Sequence, residues 1–108
     1  MNINKITTVI GFLILIALAS IGWIVLFVQN PIILAKARWR YQRAVWQKIN
    51  LSAGPCLGKI ADDWVLDIAH LPRQDSDNLP ENQCEDYRTN KVHHFVEMSP
   101  RGEIIKVN

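Results

Sequence analysis

Residues 64–71, WVLDIAHL, carry the clearest pattern for a folded domain in this sequence. They are rich in side chains that favour β-strands. Successive side chains of a strand point to opposite faces, so Trp64, Leu66 and Ile68 are predicted to share one face. The stretch therefore predicts a strand that packs against a small core.

Two further strands follow, at Val92–Met98 and Glu103–Val107. Between them lies Ser99-Pro100-Arg101-Gly102, with proline and glycine at positions that a tight turn prefers. Residues 92–107 are therefore predicted to form an antiparallel hairpin. Together with the strand at 64–71, this hairpin predicts that residues 50–108 form a small α+β or mostly-β domain.

The segment 72–90 has no periodicity and is predicted to be a long, acidic, irregular loop. Loops of this length are either functional or poorly ordered. Its acidic side chains raise the possibility of a calcium loop, but Pro80 stands where an EF-hand needs glycine. We therefore interpret the acidic run as solvated. Its members are Asp75, Asp77, Glu81, Glu85 and Asp86.

Two cysteines bracket much of this segment, and Cys56 and Cys84 are predicted to form a disulfide. A bridge that closes a loop of nearly thirty residues contributes about 3 kcal/mol to stability, which a domain this small needs. Two free buried thiols are the alternative. The C-x-x-C pattern of redox proteins and the C-x-x-C-H pattern of c-type haem attachment are both absent from the sequence.

Residues 30–49 are predicted to form a basic amphipathic helix, with Asn30 as N-cap and Pro31 at the first helical position. Its basic and aromatic side chains suggest a surface that contacts anionic lipid or a protein partner. In the alternative interpretation the charges are simply solvated while the distal domain covers the apolar side. The candidate contact residues are Lys36, Arg38, Trp39, Arg40, Arg43 and Trp46.

Upstream, Ile6–Val28 is an uncharged run of 23 residues that follows a short tail, residues 1–5. A helix needs about 20 apolar residues to cross a bilayer, so a single transmembrane helix that acts as a signal-anchor is predicted. A cleaved signal peptide is the alternative, because Ala17-Leu18-Ala19 has the form of a cleavage site. The predicted architecture is thus one span, a juxtamembrane helix and the distal domain.

Charge is distributed very unevenly along the chain. Residues 1–50 contain six of the twelve Lys and Arg residues and no acid, whereas residues 51–108 contain all ten acids. The basic cluster beyond the predicted span favours a cytoplasmic distal domain, but the predicted disulfide favours an oxidising compartment. We predict a single-pass protein of the cell membrane, of the bacterial inner-membrane type, with an extracytoplasmic distal domain.

The general plan is similar to that of type IV pilins and pseudopilins, and Gly11-Phe12 resembles their processing site. That resemblance implies an assembly component with an apolar N-terminal helix and a small sheet. Two features differ from the family: the segment before Gly11 is itself apolar, and Ile16 stands where those proteins typically carry glutamate.

No pattern in the sequence predicts catalysis, a cofactor or a metal site. Adjacent strand residues face opposite ways, so His93 and His94 are not expected to share an ion, and His70 is interpreted as an ordinary surface or half-buried histidine. Nucleic-acid binding is not expected, because the basic helix precedes an acidic domain. The predicted function is a non-catalytic accessory or structural subunit of a membrane protein complex. The alternatives are a pilin-like assembly component and a small membrane-anchored binding or inhibitory protein of the immunity type.

Overall fold

The computed structural model describes the backbone of residues 2–27 and 31–108, and the side chains of residues 2–19 and 31–108. The chain divides into two compact units, Met1–Pro31 and Ile32–Asn108. The predicted N-cap at Asn30 lies outside the described residues.

The first unit consists of helix α1, Ile3–Phe27. Near its start, the hydroxyl groups of Thr7 and Thr8 donate to the carbonyl oxygens of Ile3 and Asn4, at 2.9 and 2.8 Å. Each hydroxyl thus shares the carbonyl oxygen four residues earlier with the helix backbone, which satisfies the hydroxyl within the helix. Asn4, Lys5, Thr7 and Thr8 make the start of α1 partly polar, and its uninterrupted apolar run begins at Val9.

The prediction of a transmembrane helix at Ile6–Val28 is wrong. Within the described part of the chain, no helix combines the length and the apolarity needed to cross a membrane. The single-pass and signal-anchor assignments depended on this span and are withdrawn with it. The juxtamembrane position of the second helix is withdrawn for the same reason.

The first element of the second unit is helix α2, Pro31–Trp46, whose first residue is the last of the first unit and which is slightly shorter than the predicted 30–49. Four strands follow, in place of the three that were predicted, together with one short helix before β3. These elements are β1, Cys56–Ala61; β2, Trp64–Ile68; α3, Glu85–Arg88; β3, His94–Met98; and β4, Ile104–Val107.

The four strands form one mixed sheet in the order β1-β2-β3-β4. β1 pairs antiparallel with β2, and β3 pairs antiparallel with β4. The central pair, β2 and β3, is parallel, with Leu66 opposite Val96 and Asp67 opposite Glu97. A parallel pair requires a long crossover, and the chain from residue 69 to residue 93 supplies it.

Helix α2 contributes to the core on one face of the sheet. Ala37 and Ala44 of α2 are fully buried in the same cluster as Leu66, Ile68 and Val96. Small side chains on the helix allow its backbone to approach the strands closely. Trp64 packs against this cluster too, which confirms the predicted shared face of Trp64, Leu66 and Ile68.

The opposite face of the sheet is covered by the crossover. Its first part is not an irregular loop but two short 3₁₀ helices, Asp75–Asn78 and Pro80–Asn82. The predicted disulfide between Cys56 and Cys84 is present, and it ties the start of β1 to the residue before α3. Together with Val65 and Val92, Cys84 forms a second, smaller core cluster on this face.

The turn between β3 and β4 explains why residue 102 is glycine. Gly102 has a φ of +89°, and a Cβ built on it would lie 2.8 Å from Cε1 of Tyr41. The Tyr41 hydroxyl donates to the carbonyl oxygen of Pro100 at 2.9 Å, so this ring cannot easily move away. The turn and α2 are therefore joined at one point.

We expect Gly102→Val to lower the free energy of unfolding by about 2 kcal/mol, because it adds both backbone strain and a clash with Tyr41. The matched control is Arg101→Lys, since Arg101 is exposed and its substitution leaves the turn geometry intact. Urea denaturation of both variants measures the effect. Equal midpoints for the two variants would contradict the assigned role of the turn.

Candidate binding surface and sheet groove

Two tryptophans lie exposed on the side of α2 that faces away from the sheet. Trp39 and Trp46 are each 62% exposed, and their rings pack edge to face with centroids 5.6 Å apart. In a helix of 3.6 residues per turn, both point roughly opposite to the buried Ala37 and Ala44. α2 therefore uses its small residues for the core and presents its largest side chains to the outside.

Three cations flank this pair and are exposed: Lys36, Arg38 and Arg43. We call Trp39 and Trp46 with these three cations the tryptophan face. The sequence predicted six contact residues, and the structure places five of them on this surface.

Arg40 is the exception among the six predicted residues. Its side chain turns toward the sheet, where Nε donates to the carbonyl oxygen of Leu57 at 3.1 Å. Its Nη1 atom is buried and has no hydrogen-bond partner among the described residues. Arg40 thus links α2 to β1, and it is not part of the tryptophan face.

A groove of about 510 Å³ lies on the sheet face opposite α2, and we call it the sheet groove. Strands β2, β3 and β4 provide its floor, and the crossover with α3 provides a wall. Its chemistry is mixed: two carboxyl groups, three cations, two aromatic rings and one half of the disulfide. These groups belong to Asp67, Glu97, Arg73, Arg88, Lys106, Tyr87, Phe95 and Cys84.

Asp67 is the most perturbed acid of the groove. Burial raises its pKa to about 7, the nearby Glu97 carboxylate adds to this effect, and the charge of Arg73 opposes it. The Oδ1 atom of Asp67 is buried and has no hydrogen-bond partner among the described residues. Near neutral pH this carboxyl group is therefore only partly ionised.

The other charges and rings of the groove pair with one another. Arg73 Nη1 lies 3.4 Å from Oε2 of Glu97, and the ring centroids of Tyr87 and Phe95 are 4.9 Å apart in an edge-to-face arrangement. Lys106 Nζ lies 5.6 Å from the Phe95 centroid. The groove is thus an aromatic and cationic channel beside a protonatable carboxyl group.

Sequence reasoning did not single out Asp67. The signal that was available is its position inside the strand sequence WVLDI, where an acid interrupts a run of apolar residues. Alternation places it on the face opposite Leu66, but only the crossover, whose path the sequence did not predict, buries that face.

The fold gathers two of the three histidines around one carboxylate. His93 Nδ1 lies 2.7 Å from Oδ1 of Asp63, and His94 Nε2 lies 3.7 Å from Oδ2 of the same residue. The hydrogen bond from His93 is the main cause of the lowered pKa of Asp63. Although adjacent strand residues were expected to point apart, the turn between β1 and β2 brings Asp63 within reach of both. His70 lies elsewhere and contacts Asp77.

One group of side chains in the described ranges has the spacing of metal ligands: Cys56, Asp67 and Cys84. Its two sulfur atoms are bonded to each other, so they are not thiolate ligands. The arrangement is therefore that of a disulfide with a carboxyl group beside it.

Comparisons of the chain with protein-family models, with curated proteins and with solved structures find no match in any of the three. The tryptophan face and the sheet groove are the surfaces from which a function can be inferred.

Proposed function

We propose that the protein is a non-catalytic accessory subunit that docks on an acidic surface of a partner protein through its tryptophan face. One observation carries this proposal: two large aromatic side chains are 62% exposed on a helix whose other side is fully packed. Trp39 and Trp46 thus leave apolar area exposed to water. No element of the second unit covers this area.

The residue types of this face are those that dominate protein interfaces. Tryptophan and arginine are enriched among the few residues that carry most of the binding energy, because they bury a large area and still form polar contacts. Trp39 and Trp46 already pack against each other, so little side-chain entropy would be lost when a partner covers them.

Charge determines the chemistry of the partner. Lys36, Arg38 and Arg43 flank the tryptophans, and residues 1–50 contain no acid that could neutralise them locally. A complementary surface rich in Asp and Glu would steer the encounter and fix the orientation of the complex.

A second copy of this chain is a less suitable partner, although residues 51–108 carry all ten acids. The tryptophan face and that acidic region are different surfaces, so self-docking would be heterologous and would produce rings or open chains of copies. A different protein with an acidic face gives a closed complex of defined stoichiometry. The disulfide supports the further proposal that this assembly forms in an oxidising compartment.

Co-purification of the tagged full-length protein from its native cells tests the proposal. We expect Lys36→Glu with Arg43→Glu to dissociate a partner that the wild type retains at fixed stoichiometry, with at least about tenfold weaker binding. Trp39→Ala with Trp46→Ala should have the same effect, since each hot-spot truncation costs about 2 kcal/mol or more.

The matched control is Lys91→Glu with Arg101→Glu, which makes the same change of charge at two other exposed positions. This control should retain the partner. If it dissociates the complex as strongly as the variants of the tryptophan face, net charge and not this surface governs binding. If every variant retains the partner, the tryptophan face is not the docking site.

A further inference from the structure

We propose that the Cys56–Cys84 disulfide is a site of thiol–disulfide exchange with small anionic thiols that enter through the sheet groove. Three features on one side of the sheet carry this inference: the disulfide, a carboxyl group beside it, and a groove that Cys84 lines. The inference is independent of docking through α2.

The carboxyl group lies close to both sulfur atoms. An oxygen of Asp67 and the sulfur atoms of Cys56 and Cys84 are all within 4.8 Å of one another. A disulfide that serves only as a staple needs no acid at this position, and burying one there is unfavourable. The same carboxyl group, when protonated, can donate its proton to a departing thiolate.

The surroundings distinguish the two sulfur atoms. Cys84 is one of the residues that line the groove, although it is only 7% exposed, and Cys56 does not line it, so we assign the attack from the groove to Cys84. The backbone N–H of Gly58 donates to Sγ of Cys56 at 3.2 Å, a contact that favours negative charge on that sulfur. Cys84 is therefore the sulfur that is attacked, and Cys56 is the leaving group.

The groove also selects the attacking thiol. Its volume of about 510 Å³ admits a small molecule, and Arg73, Arg88 and Lys106 line it. The thiolate is the attacking species. Arg73 is paired with Glu97, so Arg88 and Lys106 are the cations of the groove that favour an anion.

The reaction consumes two thiols. The first attacks Cys84 as its thiolate and forms a mixed disulfide, while the Cys56–Cys84 bond breaks and its electron pair goes to the Cys56 sulfur. That sulfur takes the proton of Asp67, which is then reprotonated from solvent. A second thiolate attacks the reagent sulfur of the mixed disulfide. That S–S bond breaks, its electron pair goes to the Cys84 sulfur, which takes a proton from solvent, and the two reagent molecules leave as their own disulfide. The carbonyl oxygen of Leu66, 3.5 Å from Sγ of Cys84, can accept a hydrogen bond from the thiol released there.

The test measures the rate at which the native disulfide is reduced by 2-mercaptoethanesulfonate, with alkylation and mass spectrometry as the readout. We expect a rate proportional to thiol concentration and unchanged by 0–1 M urea, because the native groove is the route of attack. A rate that rises steeply with urea would show that the disulfide reacts only after unfolding, which would overturn the proposal. Cysteamine, a cationic thiol of similar size, should react at least about threefold more slowly per thiolate.

The role of Asp67 has a separate signature in the pH profile. After division by the thiolate concentration, the wild-type rate constant should fall as pH rises through about 7, because Asp67 loses the proton that it donates. Asp67→Asn should be about 10- to 100-fold slower below pH 7 and should give a flat profile. This variant removes a carboxyl group whose charge is disfavoured by burial, so we expect it to fold at least as stably as wild type at pH 8.

The matched control is Glu97→Gln, which neutralises the neighbouring carboxylate but leaves the proton donor in place. It should keep a pH-dependent rate. A wild-type profile without a fall between pH 6 and 8, or an Asp67→Asn variant as fast as wild type, would contradict the assignment of Asp67 as the acid.

Discussion

The Asp77→Ala variant is expected to lose about 3–5 kcal/mol of its free energy of unfolding, the largest effect of any single substitution considered for this chain. Asp77 is only 1% exposed. Its carboxylate accepts hydrogen bonds from the backbone N–H groups of His70 and Gln74 and contacts Nδ1 of His70, each at 2.9 Å. Alanine would leave these buried groups without a partner. Urea denaturation at pH 7 measures the loss.

The pH dependence of this loss is a second expected result. Burial alone would raise the pKa of Asp77, but the hydrogen bonds from Gln74 and His70 outweigh it and lower the pKa. A carboxyl group with a lowered folded pKa contributes stability above its unfolded pKa of about 3.9 and loses that contribution as pH falls below it. The gap between wild type and Asp77→Ala should therefore narrow below about pH 4.

Asp75→Ala is the matched control, since Asp75 lies in the same 3₁₀ helix but is exposed. It should change stability by less than about 0.5 kcal/mol. An Asp77→Ala variant as stable as this control would show that the carboxylate does not organise the crossover.

Removing the disulfide, by Cys56→Ala together with Cys84→Ala, is expected to cost about 3 kcal/mol. The bridge closes a loop with a sequence separation of 28 residues, and it fixes the crossover to the edge strand β1. Proteolysis of the double variant should cut within residues 72–90, because that segment loses its covalent attachment to the sheet. The wild type can also be compared with and without reductant, once complete reduction has been verified. Equal urea midpoints in the two conditions would contradict this expectation.

Local signals in the sequence predicted the parts of this fold that depend on neighbouring residues. The alternation of Trp64, Leu66 and Ile68 is a backbone property of a strand, and it correctly predicted one buried face. The spacing of Cys56 and Cys84 made a bridge favourable, and the structure contains it. The 3.6-residue period of α2 placed its two tryptophans on the same side.

Features that depend on long-range contacts could not be predicted in this way. β1 was missed because its sequence, CLGKIA, has weak alternation and contains a glycine; it is recognisable as a strand only once it pairs with β2. The parallel pairing of β2 with β3 depends on the path of the crossover. That same path creates the sheet groove and buries Asp67.

Local patterns differed from the structure at two places, the apolar N-terminal run and Arg40. Hydropathy alone predicted a membrane span, whereas the described residues contain no helix that is both long enough and apolar enough to be one. Arg40 was grouped with the exposed cations because it lies on the basic side of the helical wheel. Its side chain is long enough to reach back to Leu57, and a wheel does not show reach.

Site-specific photo-crosslinking in the native cells tests the docking surface most directly. A benzoylphenylalanine at Gln42, which is exposed beside Trp39 and Trp46, should yield one discrete adduct with another protein. The crosslinked peptide should be rich in Asp and Glu, and Lys36→Glu with Arg43→Glu should abolish the adduct. The same probe at Glu103, an exposed residue beside the β3–β4 turn, should give no such adduct. Equal adducts from both positions, an adduct only with a second copy of the chain, or none from Gln42 would contradict docking of a partner protein on the tryptophan face.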